Sequence, residues 1–284
     1  MGTLTKELKI DKEVLEANVV TATSKNNDVF EMLAPFIEEI AESIKDNVLG
    51  EPGCKAIASD DTLLQLTQRV VCREAFAENI SSLDLVLTAT GCGIVRTQDT
   101  APASQARVQA LQTQVTRQYL KSLGVLIDYL RKIVEGWGET AQAEANINNV
   151  FYDFNLMVNF CSQKNPTLDD WLNAQIAIRD ADMVLRREIS DEEMNDLLSR
   201  IRHNDITNAV QKVIYCARVI TAELINQNAT GALPKLVKRA MDRIFETMEN
   251  NIEDFEPYKN SSEYKARHEE PYANTKDSPV YFWG

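Results

Sequence analysis

The feature that most constrains the fold of this chain is a helical hydrophobic pattern that runs through residues 99–138. Apolar side chains recur there at steps of three and four residues, which is the spacing of one face of an α-helix. The members of this stripe are Val108, Leu111, Val115, Tyr119, Leu123, Leu126 and Leu130. The segment opens with the proline-containing stretch Ala101–Ser104, which is typical of a helix start. At about 1.5 Å per residue, the pattern predicts one helix on the order of 50 Å long.

The rest of the chain repeats this periodicity in shorter segments. Only 10 glycines and 8 prolines occur among the 284 residues, so few positions interrupt a helix. The predicted helices cover residues 28–50, 59–80, 167–189, 191–203, 206–227 and 233–254. Pro35 is expected to kink the first of them or to mark a break in it, and Glu51-Pro52-Gly53 is expected to end it. Thr167 and Ser190 are predicted N-caps, and Ser190 with Glu193 has the form of a capping box.

Residues 83–98, LDLVLTATGCGIVRTQ, carry the one strand-like pattern of the chain. Two runs rich in Val, Leu, Ile and Thr flank the glycine turn Gly91-Cys92-Gly93, which predicts a β-hairpin. An isolated hairpin is marginally stable, so it is expected to pack at a subunit interface or on the chain's own long helix. We therefore predict an all-α fold: a helical bundle with one long central helix, a small β-hairpin insertion at about 83–98 and an extended C-terminal tail.

The charge and the cysteines limit the partners and the compartment. The formal net charge is −13, which argues against wrapping nucleic acid and against binding an anionic membrane surface. Solubility alone would also explain this charge. The five cysteines are odd in number and widely spaced without a CxxC pair, so free thiols in a reducing compartment are predicted. No signal-peptide pattern and no run long enough to cross a membrane occurs, so a protein made and kept in the cytoplasm is expected.

The sequence contains no recognisable catalytic, cofactor-binding or metal-binding signature, and we predict that the chain is not an enzyme. GxSxG, P-loop and HExxH patterns are absent. His203 lies at a predicted helix C-terminus, where the helix dipole favours it, and His268 lies in the C-terminal segment. Asp169-Asp170 and Glu192-Glu193 fall in first helical turns, where carboxylates stabilise the helix.

The helical pattern is lost after Glu256-Pro257, so we divide the chain into a helical domain, 1–257, and an extended C-terminal docking tail, 258–284. The tail has too little apolar surface to order by itself, yet its last residues read DSPVYFWG. Its aromatic side chains are the candidate partner-binding residues: Tyr264, Tyr272, Tyr281, Phe282 and Trp283. In the alternative hypothesis, the tail folds back on the chain's own helices.

One stretch resembles a known group of proteins. Residues 84–115 combine the apolar strand Leu85-Val86-Leu87, the turn Gly91-Cys92-Gly93, a second strand at Ile94-Val95 and the helix start Ala101–Ser104. Arg107, Val108 and Leu111 follow in the helix. This order of features resembles uncharacterised proteins encoded by phages and prophages of gut Bacteroidota.

The resemblance implies a virion protein like the head–tail connector adaptors, which form a ring, usually twelvefold, beneath the portal. It implies that the C-terminal tail docks on the portal or on a neighbouring subunit, and that other neck and tail proteins are partners. It also implies an acidic channel through which DNA slides without specific binding, and a location in the neck of the virion. Two alternatives stay open: another neck, head-completion or tail-completion protein, or a cytoplasmic helical enzyme or regulator with an unrecognised site.

Overall fold

The computed structural model describes residues 8–19, 29–83, 85–88, 91–94, 104–226 and 235–269. Helices dominate these residues, which confirms the all-α class. In chain order the α-helices are α1 Lys12–Asn18, α2 Val29–Ile44, α3 Gly50–Ile57, α4 Asp61–Leu83, α5 Gln105–Ile133, α6 Ala141–Asn146, α7 Phe154–Phe160, α8 Leu168–Glu188, α9 Asp191–His203, α10 Asn208–Asn226, α11 Lys235–Asn250, α12 Glu256–Asn260 and α13 Ser262–His268. A π-helical segment covers Lys45–Leu49, and short 3-10 helices cover Trp137–Glu139 and Ile252–Asp254.

The long helix α5 packs antiparallel against α4, and this pair forms the spine of the structure. Tyr129 Oη donates a hydrogen bond to Asp60 Oδ2 at 2.8 Å, which joins the end of α5 to the start of α4. Arg73 Nη1 donates to Ser122 Oγ at 2.5 Å, which joins the middles of the two helices. The long helix was predicted to cover residues 99–138. The observed helix α5 begins at Gln105, after its N-cap Ser104, and ends at Ile133, so it is shorter at both ends. It stops before Gly136, whose φ of 75° lies in the left-handed region that glycine adopts readily.

The segment around Pro35 differs from the prediction. Helix α2 continues through Pro35 to Ile44, and the irregularity falls in the π-helical segment that follows. Glu51-Pro52-Gly53 does not end a helix but lies in the first half of α3, after Gly50 with φ of 62°. A proline is tolerated in a first helical turn, because the backbone N–H groups there have no helical partner.

Two short strands, β1 Leu85–Thr88 and β2 Gly91–Ile94, pair antiparallel after α4. Leu85 faces Ile94 and Thr88 faces Gly91 in this register. Of the predicted insertion, Leu83 is the last residue of α4, and residues 84, 89, 90 and 95–98 lie outside the described residues. A role for this segment at a subunit interface stays a prediction.

A continuous hydrophobic core extends from the N-terminal helices to α12. Its fully buried members include Leu33, Leu63, Val70, Leu126, Leu130, Leu197, Val213 and Ile244. A smaller cluster lies beside it, between α7, α8 and α10, and consists of Phe151, Leu156, Met157, Ala174, Ile178 and Ala222. One face of α8 therefore packs on the small cluster at its N-terminal half and on the main core at Leu185.

The C-terminal boundary predicted after Pro257 is corrected by the structure. Pro257 lies inside α12, and α13 follows it directly. Phe255 and Tyr258 are fully buried in the main core. The folded body therefore extends to Glu269, because these two aromatic side chains cover apolar surface that α9 and α11 would otherwise expose to water.

We expect Gly124→Ala to lower the free energy of unfolding by about 1–3 kcal/mol, although alanine normally favours a helix. A Cβ at Gly124 would lie 2.9 Å from Asp153 Oδ1 and closer still to Asn155 Nδ2. Asp153 caps α7 by accepting hydrogen bonds from the backbone N–H groups of Asn155 and Leu156, so the methyl group would displace this cap. Urea denaturation followed by circular dichroism measures the change. Val125→Ala, at an exposed neighbouring position, should stay within about 0.5 kcal/mol of the parent, and an equal loss in both variants would contradict the argument.

Candidate partner-binding surface

The C-terminal helices are joined to the body by the buried carboxylate of Glu193. Ser190 caps α9, and its Oγ accepts a hydrogen bond from Glu193 N at 3.1 Å. The Glu193 side chain does not return to the cap as a capping box would require. Its Oε2 instead accepts a hydrogen bond from Tyr258 N at 3.0 Å. Glu193, which the sequence analysis assigned to a capping box, therefore joins α9 to the first turn of α12.

Aromatic contacts continue this attachment along α13. The ring of Tyr264 meets that of Tyr258 edge-on, with 5.2 Å between centroids. Tyr264 also lies against the imidazole of His268 at 4.1 Å. Arg267 places its guanidinium carbon 3.5 Å from the centroid of the Phe245 ring, which is a close cation–π contact with α11. These contacts hold α13 on the chain's own surface up to His268.

The structure divides the predicted partner-binding residues into two groups. Tyr264 is half-buried and packs on the main core of its own chain, so it is not available as a free anchor. The fold-back alternative therefore applies to the segment that contains it. Tyr272, Tyr281, Phe282 and Trp283 lie outside the described residues, and their role as anchors stays a prediction.

Burial raises the pKa of Glu193 to about 7. The hydrogen bond from Tyr258 N favours the charged form but does not outweigh the loss of water. Oε1 has no hydrogen-bond partner among the described residues. Burial likewise raises the pKa of Glu74 on α4 to about 7, against the opposing effect of a hydrogen bond from Tyr119. The fold therefore raises the pKa of both glutamates to near neutral pH.

The groups that could suggest catalysis take part in structural contacts. The ring nitrogens of His203 lie 2.7 Å from Ser199 O and 2.8 Å from Glu139 Oε1. Cys72, Cys161 and Cys216 form no disulfide bond. Burial raises the pKa of Cys72 to about 12, which disfavours the thiolate that a nucleophile requires. Within the described ranges no group of three or more His, Cys, Asp or Glu side chains is arranged to hold a metal ion. The prediction that the chain is not an enzyme stays a prediction.

An open groove with a volume of about 860 Å³ lies where α3, the start of α4 and the end of α5 meet. Its lining is rich in carboxylates, among them Glu51, Asp60, Asp61 and Glu135. Asp60 has a structural role, because it caps α4 and accepts the hydrogen bond from Tyr129. The backbone N–H of Leu63 makes the largest contribution to the lowered pKa of Asp60. This groove therefore adds acidic surface without a convergent set of catalytic groups.

A surface that the sequence analysis missed lies on α8. The side chains of Leu172, Ile176 and Met183 are 56%, 62% and 69% exposed. They recur at helical spacing on one side of α8, while a second apolar set on the same helix is buried. The signal was present in the sequence as a helix with apolar residues on two faces. The periodicity alone did not show which face the other helices would cover.

Comparison with known proteins identifies part of the chain only. Residues 12–147, from α1 to just beyond α6, match a family of unknown function (DUF6712). No curated protein and no solved structure matches the chain. Both the exposed surface of α8 and the C-terminal helices lie outside the matched residues. Among the described helices, none combines the length and the apolar character needed to cross a membrane.

Proposed function

We propose that this protein is a structural virion protein of a tailed phage, a head–tail connector adaptor that forms a ring beneath the portal. The segment after Glu269 docks on the portal or on a neighbouring subunit, and the ring is twelvefold. The protein is assembled in the host cytoplasm and resides in the neck of the virion. No catalysis and no cofactor are involved.

The observation that carries this proposal is the firm attachment of the C-terminal helices. Tyr258 is buried under the Glu193 hydrogen bond, and Arg267 is held over Phe245. Helix α13 is therefore a fixed starting point for the residues that follow Glu269. Those residues, 270–284, contain Tyr272 and the apolar run Val280–Trp283. An aromatic segment that begins at a fixed point suits attachment to another protein.

The energetics favour attachment by many copies at once. Ordering the four residues Val280–Trp283 costs about 1–2 kcal/mol per residue in backbone entropy. Burying Tyr281, Phe282 and Trp283 returns about 1.5–3 kcal/mol each. One segment alone would bind weakly because these contributions nearly cancel. Subunits joined in a ring would present many segments together, which makes release slow.

The charge of the chain is consistent with the same proposal. A net charge of −13 repels the phosphate backbone of DNA. The acidic groove at the end of α5 contributes to the negative charge on the surface of the protein. A ring of such subunits would let DNA pass without specific binding.

The proposal predicts that the full chain assembles into a ring on its portal and that this attachment needs the C-terminal aromatic residues. The test measures mass by light scattering, with the chain alone and with the portal protein encoded with it. The informative variants are a chain that ends at Glu269 and the triple substitution Tyr281→Ser, Phe282→Ser and Trp283→Ser. A cut after Pro257 is unsuitable, because it would remove the buried Tyr258. We expect both variants to lower the affinity for the portal by at least tenfold.

The matched control is Tyr215→Ser, which removes an exposed aromatic side chain from α10. It should bind the portal like the parent. Unchanged binding of both tail variants would refute docking by this segment. A chain that stays monomeric with the portal and with every other neck protein would refute the adaptor role. Assembly on a head-completion or tail-completion protein instead would assign a different position in the neck.

A further inference from the structure

Helix α8 has apolar residues on two opposite faces. Ala174, Ile178, Ala181 and Leu185 are its buried residues. Leu172, Ile176 and Met183 are exposed. At about 100° per residue, these three side chains lie within about 40° of one another and on the side opposite the buried residues. We call these three residues the α8 stripe.

Two charged residues lie beside the α8 stripe at its ends. Asp169 is exposed in the first turn of α8, and Arg187 is exposed in the last turn. They are separated by five whole turns, so both lie on the same side of the stripe. Arg187 Nη2 contacts its neighbour Glu188 at 2.7 Å in an exposed position, which leaves the guanidinium accessible to a second carboxylate. The stripe thus has a negative charge at one end and a positive charge at the other.

We propose that two copies of this chain pair through antiparallel contact of their α8 stripes. Leu172 of one copy then packs against Met183 of the other, and Ile176 lies near the two-fold axis. The same axis, which crosses the pair at the level of residue 178, brings Asp169 of one copy opposite Arg187 of the other. In this one arrangement the apolar contact and the ion pair form together, and the two-fold symmetry gives two copies of each.

The charges select a second copy in this orientation over the other arrangements. A parallel pair would place Asp169 against Asp169 and Arg187 against Arg187, and such repulsion disfavours it. Arg179 and Asp180, in the middle of the helix, lie on either side of the stripe. Each meets its own copy in either orientation, so these like charges weaken the pair without selecting between the two orientations. A surface that matches its own inverted copy in its apolar positions and in the charges at its two ends has the form expected of an isologous interface.

This pairing goes beyond the proposed ring and does not depend on it. An isologous contact closes on itself, so it cannot alone build a ring of subunits. The α8 pair would be a contact of the free chain, or one between subunits of two rings. The contact is small, which predicts a reversible pair seen only at high concentration.

Sedimentation equilibrium on the full chain, up to on the order of 0.5 mM, tests the pairing. We expect a monomer–dimer equilibrium that Ile176→Glu weakens at least tenfold. Asp169→Arg and Arg187→Glu should each weaken self-pairing, because each places like charges in opposition. An equal mixture of these two variants should pair again, and the double variant should pair with itself. Recovery of self-pairing in the double variant is specific to the antiparallel arrangement.

The controls match each change in chemistry. Leu236→Glu introduces the same charge at another exposed apolar position, on α11, and Glu192→Arg reverses a first-turn charge on α9. Both should pair like the parent. Circular dichroism should show that all variants are folded, with a similar small loss of thermal stability in Asp169→Arg and Glu192→Arg, because each removes a first-turn carboxylate. A monomeric parent, or pairing that is unaffected by Ile176→Glu, would overturn the inference. Loss of pairing only when residues 270–284 are removed would also overturn it, by assigning the contact to the C-terminal segment. Portal binding is measured separately, so failure of one proposal does not affect the other.

Discussion

Replacement of Trp137 by alanine is expected to lower the free energy of unfolding by about 3–5 kcal/mol. Trp137 is fully buried, and its Nε1–H donates a hydrogen bond to Val48 O at 2.8 Å. It lies in the short 3-10 helix after α5, which contacts α3, α5, α6 and α9. Its removal would leave a large cavity at the junction of the N-terminal helices with the second half of the chain. Urea denaturation followed by circular dichroism measures the loss.

Two further variants separate the contributions at this junction. Trp137→Phe should lose less, about 1–3 kcal/mol, because the ring is largely kept while the hydrogen bond to Val48 is lost. Trp171→Ala removes the same side chain from a half-buried position beside the small cluster and should lose about 1–2 kcal/mol. If Trp137→Ala cost no more than Trp171→Ala, the junction would not depend on Trp137.

Replacement of Glu193 by glutamine is expected to change how stability depends on pH. The pKa of Glu193 is about 7 in the folded protein, against an ordinary value of 4.5. Below pH 4.5 the carboxyl group is protonated in both the folded and the unfolded chain, and the contribution of the neutral group to the free energy of unfolding is fully present. Between the two values the unfolded chain ionises first, so this contribution is lost as the pH rises. The loss is complete above about pH 7 and amounts to about 3 kcal/mol.

Glutamine stays neutral over this range and can still accept the hydrogen bond from Tyr258 N. The stability of Glu193→Gln relative to the parent should therefore rise by about 3 kcal/mol from below pH 4.5 to above pH 7. Glu74 has a similarly raised pKa, but it is present in both proteins and its effect cancels. The exposed neighbour Glu192→Gln is the control and should show no such trend. A difference between Glu193→Gln and the parent that does not vary with pH would contradict the burial of a titrating carboxyl group.

The local patterns of the sequence predicted individual helices well. Thr167 begins α8 with a reciprocal capping box to Asp170, and Ser190 caps α9. Helix α5 follows the long stripe, although it is shorter than predicted. These features depend on residues three or four positions apart, so they can be read without knowing the rest of the fold.

The C-terminal helices show where such reasoning fails. Residues 256–268 have little periodicity, yet α12 and α13 fold because Tyr258 enters the core and meets Glu193, 65 positions away. No local pattern identifies this partner. The sequence analysis placed these two residues in separate elements, Glu193 in a capping box and Tyr258 in the extended C-terminal docking tail.

The sequence by itself determined the helical class, the caps and the acidic charge, because composition and short-range spacing control them. Only the tertiary structure decided that Tyr264 is packed on its own chain and that the α8 stripe is left exposed. Periodicity shows which side chains of a helix share a face. Whether neighbouring helices or water cover that face depends on contacts between residues far apart in the chain, and these arise only when the whole core is assembled.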